Sequence, residues 1–335
     1  MNIEIKYIKR LFICFCIIVL FTCCKEDKQK NVNNIYYWKT TFELSNSEKY
    51  FLKENNVERI YLHYFDICLD VINHDAIPEG TIRFKDHIPI GYDIVPTIFI
   101  DNEVFKYCDM NNYVDKLFKR VMTMSNTNNI INVNQVQIDC DWTKTTEKAY
   151  FEFLKRIRKE FKKEGISLST TIRLHQLFSS VPPVDRGVLM CYNTGAIKDY
   201  STQNSIISEK DVSPYAKQLK KYKLPLDIAY PTFSWAVWFS NGEFKALLRD
   251  IKPNDKRLTL VKGNIFKAKE EFYQEGKYIK TNDEIRFEFS SYDEIIKVKN
   301  LLENKLKNYS IIIYHLDSTN LSKYSKHEIN KIYSH

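Results

Sequence analysis

The residues most able to do chemistry are two aspartates in one short run, Val136-Gln137-Ile138-Asp139-Cys140-Asp141-Trp142-Thr143. The run starts β-branched and apolar and ends in acids. Side chains alternate along a strand, so Gln137, Asp139 and Asp141 share one face and Ile138 and Cys140 the other. Carboxylates carried into an interior are costly unless paired or hydrogen-bonded. Two of them close together push one pKa up, which is how an acid/base pair is built. A purely structural network holding loops is the alternative. Asp139 and Asp141 are therefore the candidate catalytic residues.

Aromatic and polar candidates collect near the ends of other strand-like runs. Tyr36, Tyr37 and Trp38 lie in the first such run. Met190-Cys191-Tyr192-Asn193 closes another, and Ala229-Tyr230-Pro231-Thr232-Phe233-Ser234-Trp235 a third. Flat rings beside polar groups suit stacking on the C–H faces of sugars. Trp38, Trp142, Arg173, Tyr192, Asn193, Tyr230 and Trp235 are the candidate ligand-binding residues. His63, within a strand, reads as a core residue. No His and acid spacing suggests a metal, no cofactor motif occurs, and no G-x-S-x-G or Cys/His arrangement suggests an acyl-transfer nucleophile.

These motifs resemble those of the family-18 glycoside hydrolases, the chitinase-like barrels. Their fourth strand reads Asp-Gly-x-Asp-x-Asp-x-Glu, which Asp139, Asp141 and Trp142 match in spacing. Met190-Cys191-Tyr192-Asn193 stands against the family's Met-x-Tyr-Asp, and the Tyr230 to Trp235 run resembles its strand-seven loop. The resemblance implies a glycan ligand. It also marks departures: Thr143 stands at the family's catalytic Glu, Val136 at its first Asp, and Asn193 at an Asp. A threonine hydroxyl cannot act as a general acid near neutral pH, so the resemblance implies binding without the family's mechanism. Two readings compete. One is an active hydrolase using Asp139 and Asp141 with another acid, for which Asp66, Asp101 and Asp227 are in view but read individually as loop caps or solvated groups. The other is a structural or assembly partner in the cell envelope.

The elements that must position these residues alternate. Strands are expected over Ile35–Thr40, Arg59–Phe65, Ile94–Ile100, Gln135–Asp141, Ser167–Ile172, Gly187–Tyr192, Leu226–Tyr230 and Ser310–His315. Amphipathic helical stretches lie between them at Ser47–Asn55, Asn112–Thr123, Thr145–Lys163, Pro214–Tyr222 and Asp293–Lys307. Eight strands alternating with helices predict a (β/α)8 TIM barrel, whose reactive residues belong at the carboxyl ends of the strands. A Rossmann sheet is the competitor, but no G-x-G-x-x-G occurs and the chain holds only eight glycines. Residues 238–290 break the pattern, with a hairpin signal at Ser240-Asn241-Gly242. They predict an α+β insertion between strands seven and eight.

The amino terminus carries Lys6, Lys9 and Arg10 against Glu4, then an apolar run from Leu11 to Phe21. That is a secretory signal, too short to span a bilayer, which needs about 20 residues. Leu20-Phe21-Thr22-Cys23-Cys24 resembles a lipobox, so Cys23 or Cys24 would carry the acyl chains (palmitate among them). Lys25-Glu26-Asp27 resembles the export tag of surface lipoproteins in Bacteroidota-type bacteria, and the whole pattern is similar to a group of barrel-fold lipoproteins from such bacteria. The expected organisation is a signal peptide at 1–23, a polar tether at 24–34 and the barrel at 35–335. The protein would be anchored to the outer membrane by lipid only, facing outward. The net charge of +8 over 335 residues is spread along Lys-rich helices mixed with Glu, a solvated surface and not a nucleic-acid patch. Beyond the signal, Cys68, Cys108, Cys140 and Cys191 contain no C-x-x-C, which argues against a zinc site.

Overall fold

A computed structural model describes residues 32–131 and 133–334. The signal region, the lipobox cysteines Cys23 and Cys24, and most of the tether lie outside the described residues.

Eight parallel strands close into a barrel. They are Asn33–Tyr37, Val57–Asp70, Asp93–Ile100, Gln135–Asp139, Ser167–Arg173, Arg186–Met190, Leu226–Pro231 and Ile311–Tyr314. Each pairs with its sequence neighbour in the barrel, and the first closes the ring against both the second and the last. The second strand is extended beyond the barrel and folds back antiparallel onto Asp75–Glu79. These are the eight strands the sequence predicts, with ends shifted by a few residues.

Strand alternation serves two apolar cores. Ile35, Ile138, Leu189, Ile228, Ile311 and Ile313 point outward into one helix-covered core. Tyr36, Tyr61, Val95, Val188, Met190, Ala229 and Ile312 point inward and fill the barrel. That double burial is why the strands read as near-continuous apolar runs. The floor of the barrel, at the amino ends of the strands, is sealed by an ion pair. Arg186 Nε lies 2.6 Å from Asp227 Oδ2 and its Nη2 2.7 Å from Oδ1. The same carboxylate accepts the Ser310 amide at 2.6 Å. Asp227 is thus a structural anion at the end away from the mouth, which removes it from the possible replacement acids.

The helices Asn46–Glu54, Val114–Thr127, Glu147–Lys163 and Tyr292–Glu303 agree with expectation within a few residues. The helix expected over Pro214–Tyr222 instead runs over Glu209–Ala216. Ser208 precedes it, and Glu209 and Asp211 give its first turn the acids that the helix dipole favours. Pro214 sits inside the helix, which ends two residues later.

The insertion stands between strands seven and eight, as expected, and its turn Asn241-Gly242 has both residues in the left-handed region at φ 53° and 79°, as a tight hairpin needs. Two features differ from the expectation. It begins at Ser234, not at 238, and it is β throughout: a five-stranded antiparallel sheet plus a two-stranded hairpin, with no helix between Ser234 and Phe289. Its lysine-rich middle forms short strands whose alternate residues, such as Leu258, Ala268 and Phe272, fill a separate small core.

A buried network ties this sheet to the loop after strand six. Arg286 Nε donates to Glu288 Oε1 at 2.6 Å, and both side chains are fully buried. The other Glu288 oxygen accepts the Ser205 amide and hydroxyl and the Trp235 indole N–H. Arg286 in turn donates to the carbonyls of Ile197 and Asp199. A buried pair is tolerable only when its remaining hydrogen-bonding capacity is met this way. Ser205→Ala is expected to cost about 1.5–3 kcal/mol, the range for a hydrogen bond to a charged group. Urea denaturation of the variant checks it, and unchanged stability would show that the network is not holding the loop.

Candidate functional site

The mouth is built where the fourth and fifth strands end. Asp139 is the last residue of the fourth strand, faces inward and is 5% exposed. It accepts the Thr171 hydroxyl at 2.6 Å. Arg173, at the end of the fifth strand, reaches both acids: Nη2 lies 3.5 Å from Asp139 Oδ1, and Nε donates to Asp141 Oδ1. The guanidinium also lies 6.0 Å from the centre of the Tyr192 ring. Arg173 therefore gathers Asp139, Asp141 and Tyr192 into one cluster. Burial pushes the Asp139 carboxyl above its usual range, with Arg173 pulling it back and Asp141 pushing further. Burial by itself would lower the Arg173 pKa, but the Asp139 and Asp141 carboxylates outweigh it and hold the guanidinium charged.

Beside this cluster lies a plate of rings. Tyr314, from the eighth strand, sits 5.0 Å from Tyr192, 5.6 Å from Tyr36, 5.8 Å from Phe233 and 6.0 Å from Trp38. Trp38 and Tyr314 are half-buried, so their surfaces reach solvent. Burial raises the pKa of Tyr36, Tyr192 and Tyr314, so all three keep their hydroxyl protons near neutral pH. Tyr36 spends its hydroxyl inside the barrel on Gln137 Oε1, at 2.7 Å.

The sequence candidates divide. Asp139, Asp141, Arg173, Tyr192 and Trp38 come together at the mouth. Trp235 lies on the insertion's first strand, half-buried, with its ring 5.2 Å from Phe233 and its N–H given to Glu288 at 2.9 Å. Asn193 is exposed and left-handed at φ 55°, a conformation asparagine tolerates. Two expectations are corrected. Trp142 is 1% exposed in the helix-side core, stacked 6.3 Å from Tyr150 and edge-on to Phe151. Tyr230 is fully buried in the same core. Each stands one residue beyond an inward side chain, Asp141 and Ala229, so the alternation of the strand turns it outward. Neither can touch a ligand in the mouth.

The sequence alone singles out neither Tyr314, inside the last expected strand, nor His63, which reads as core. Its signals were weak, since nothing near either one in the chain marks it. The remaining acids near the mouth have partners. Asp66 pairs with His63, and Asp101 caps the Glu103 amide at 3.1 Å. Thr143 is exposed and serves the turn into the Glu147 helix, where its carbonyl accepts the Glu147 amide at 2.9 Å. Its hydroxyl meets that of Thr145 at 2.9 Å. The four cysteines in the described residues are free thiols. A groove of about 300 Å³ between helix Asn46–Glu54 and the C-terminal helices lies on the outer wall and contains none of the mouth cluster.

At the level of sequence, no family model and no curated protein matches. Structures do. The GH18 chitinase ChiB from the chitin utilization locus of Flavobacterium johnsoniae superposes with TM-score 0.54 at 14% identity, over 91% of this chain and 94% of its own. This chain has the fold of the family-18 chitinases. The spore cortex-lytic enzyme SleL of Bacillus megaterium matches at TM-score 0.53 and 11% identity, over 89% of this chain and 74% of that one. The Ostrinia furnacalis Group IV chitinase in complex with allosamidin matches at 0.52 and 9%, over 91% and 98%. At the end of the fourth strand Asp139 and Asp141 meet Arg173, and Thr143 lies in the turn that starts the next helix.

Proposed function

We propose that this protein is a surface lipoprotein whose barrel mouth binds a glycan and does not run the family-18 reaction. One observation carries the reading: Arg173 ties up both carboxylates at the end of the fourth strand beside an aromatic plate of which Trp38 and Tyr314 reach solvent. The carboxylates are thereby committed to a cation, while Trp38 and Tyr314 offer the flat surfaces that sugar rings stack on. The allosamidin complex of a chitinase of the same fold supports a glycan-like ligand. Asp141, more than half exposed, and Asn193 supply acceptors and donors at the rim, and Trp235 extends the apolar surface toward the insertion.

A glycan panel tests this by calorimetry and turnover with wild type, Trp38→Ala, Trp235→Ala and Asp141→Asn. Binding by wild type is expected, weakened roughly ten- to a hundredfold in Trp38→Ala, as stacking contacts of about 1–3 kcal/mol would give. Trp235→Ala should lose less, since its ring already packs on Phe233 and its N–H is given to Glu288. Absence of binding across the panel would shift the reading to an envelope partner protein.

The anchor is a separate proposal, supported by the basic start, the short apolar run and the Cys23-Cys24 pair. Among the described residues, no helix is long and apolar enough to cross a membrane. Replacing both cysteines with serine is expected to move the protein from the membrane fraction to the soluble one, because stable attachment needs the acyl chains. Retention of the unacylated double variant in membranes would overturn it.

A further inference from the structure

The mouth contains a second polar pair that neither the family resemblance nor the Arg173 cluster uses. His63, on the second strand, is 4% exposed. Its Nε2 lies 2.7 Å from Asp66 Oδ1. One face of the imidazole is covered by Trp38, with ring centres 4.7 Å apart. His63 is in register with Thr97 on the third strand, and Thr97 with Gln137 on the fourth, so it belongs to the inward layer just below Asp139.

The chemistry of the pair is set by the carboxylate. Ionised Asp66 can only accept, so the Nε2 it meets must carry the proton. In the neutral ring, Nδ1 is then a bare acceptor. That Nδ1 is buried and has no hydrogen-bond partner among the described residues. Buried acceptors without donors are rare, because each forfeits a hydrogen bond it had in water. The same layer shows the complementary defect: Gln137 Nε2 is buried without a partner, its Oε1 being taken by Tyr36. The approach of Asp66 is also provided for. Gly80 has φ +53°, and a Cβ there would stand 3.0 Å from Asp66 Oδ2. Any larger residue would be strained and would crowd the carboxylate.

We propose that His63 and Asp66 form a ligand-binding element of the mouth, in which His63 Nδ1 accepts a hydrogen bond from a hydroxyl or amide N–H of the bound sugar while Trp38 stacks beside it. Asp66 is the positioning residue that fixes the tautomer. The class of ligand rests on the glycan reading above; the tautomer does not.

Two measurements on the mature chain decide it. Nitrogen NMR of histidine-labelled protein should show His63 with its proton on Nε2 and a lone pair on Nδ1, and Asp66→Asn should mix the tautomers. Chitotetraose and a panel of neutral oligosaccharides should bind His63→Leu about tenfold or more weakly than wild type, with His63→Gln, whose carbonyl can still accept, retaining part of the affinity. Asp66 is one-third exposed, so Asp66→Asn keeps the test available should His63→Leu not fold, with a loss of severalfold expected. A proton on Nδ1 in the free protein, or unaltered affinity in the folded variants, overturns the proposal. If wild type binds no oligosaccharide, the glycan reading fails by itself. The tautomer then judges this pair alone: a lone pair on Nδ1 sustains the acceptor and a proton there ends it.

Discussion

Purified mature protein is expected to show no measurable hydrolysis of chitin-type oligosaccharides, and Thr143→Glu is expected not to restore it. Loss of a well-placed general acid costs about 10²–10⁴ in rate. Thr143 cannot donate its proton near neutral pH, and its hydroxyl and carbonyl serve the turn into the next helix. The two acids that remain share one guanidinium. A glutamate at 143 would enter a site that departs from the resembled family-18 motif at two further positions, Val136 and Asn193. Val136 is fully buried in the helix-side core, and Asn193 is exposed in a left-handed conformation, so neither supplies a carboxylate to the mouth. Assays of wild type, Thr143→Glu and Asp141→Asn, by release of reducing ends, check this. Robust turnover by wild type that vanishes in Asp141→Asn would sink the binding-only reading and establish a hydrolase with a different acid.

Arg173→Leu is expected to destabilise the fold by about 3–5 kcal/mol near pH 8, the cost of stranding a buried charge. Most of that cost belongs to Asp139. The Asp141 leg has the closer contact, but Asp141 is 57% exposed, and exposed pairs contribute little. The pH dependence has a definite sign. Burial raises the Asp139 pKa in the folded state, so the folded protein holds that proton more tightly than the unfolded chain. The corresponding stability is fully present below the ordinary carboxylate pKa and is lost as pH rises through the raised one. Removing Arg173 takes away the main influence opposing burial, so the pKa rises further and the window widens. The deficit of Arg173→Leu should therefore shrink as pH falls from about 8 to about 5. The double variant Asp139→Asn/Arg173→Leu should recover most of the loss at pH 8. Denaturation midpoints across that range decide the matter. A pH-independent deficit, or none, would show that Asp139 is not an anion held by Arg173.

The sequence by itself determined the barrel. Strands buried on both faces and alternating with amphipathic helices have few other ways to cover themselves, and the eight strands lie where those patterns predict. It also determined which way each strand residue points, because the two-residue period is local. That period turns Asp139 inward, and by the same rule it turns Trp142 and Tyr230 outward. Chemical resemblance to sugar-stacking residues argued for the mouth, but local geometry prevailed, since a ring on the helix side of a strand cannot reach the other side. The tertiary structure alone decided the partners. Arg173 lies 34 residues from Asp139 and 32 from Asp141 in sequence, and only the pairing of the fourth strand with the fifth brings their ends together. Tyr314 reaches Tyr36 and Trp38 because the barrel closes the first strand against the last. His63 became a candidate only when the surrounding packing showed an imidazole nitrogen with no donor. Contacts between strands depend on closure and register, and no single strand carries that information.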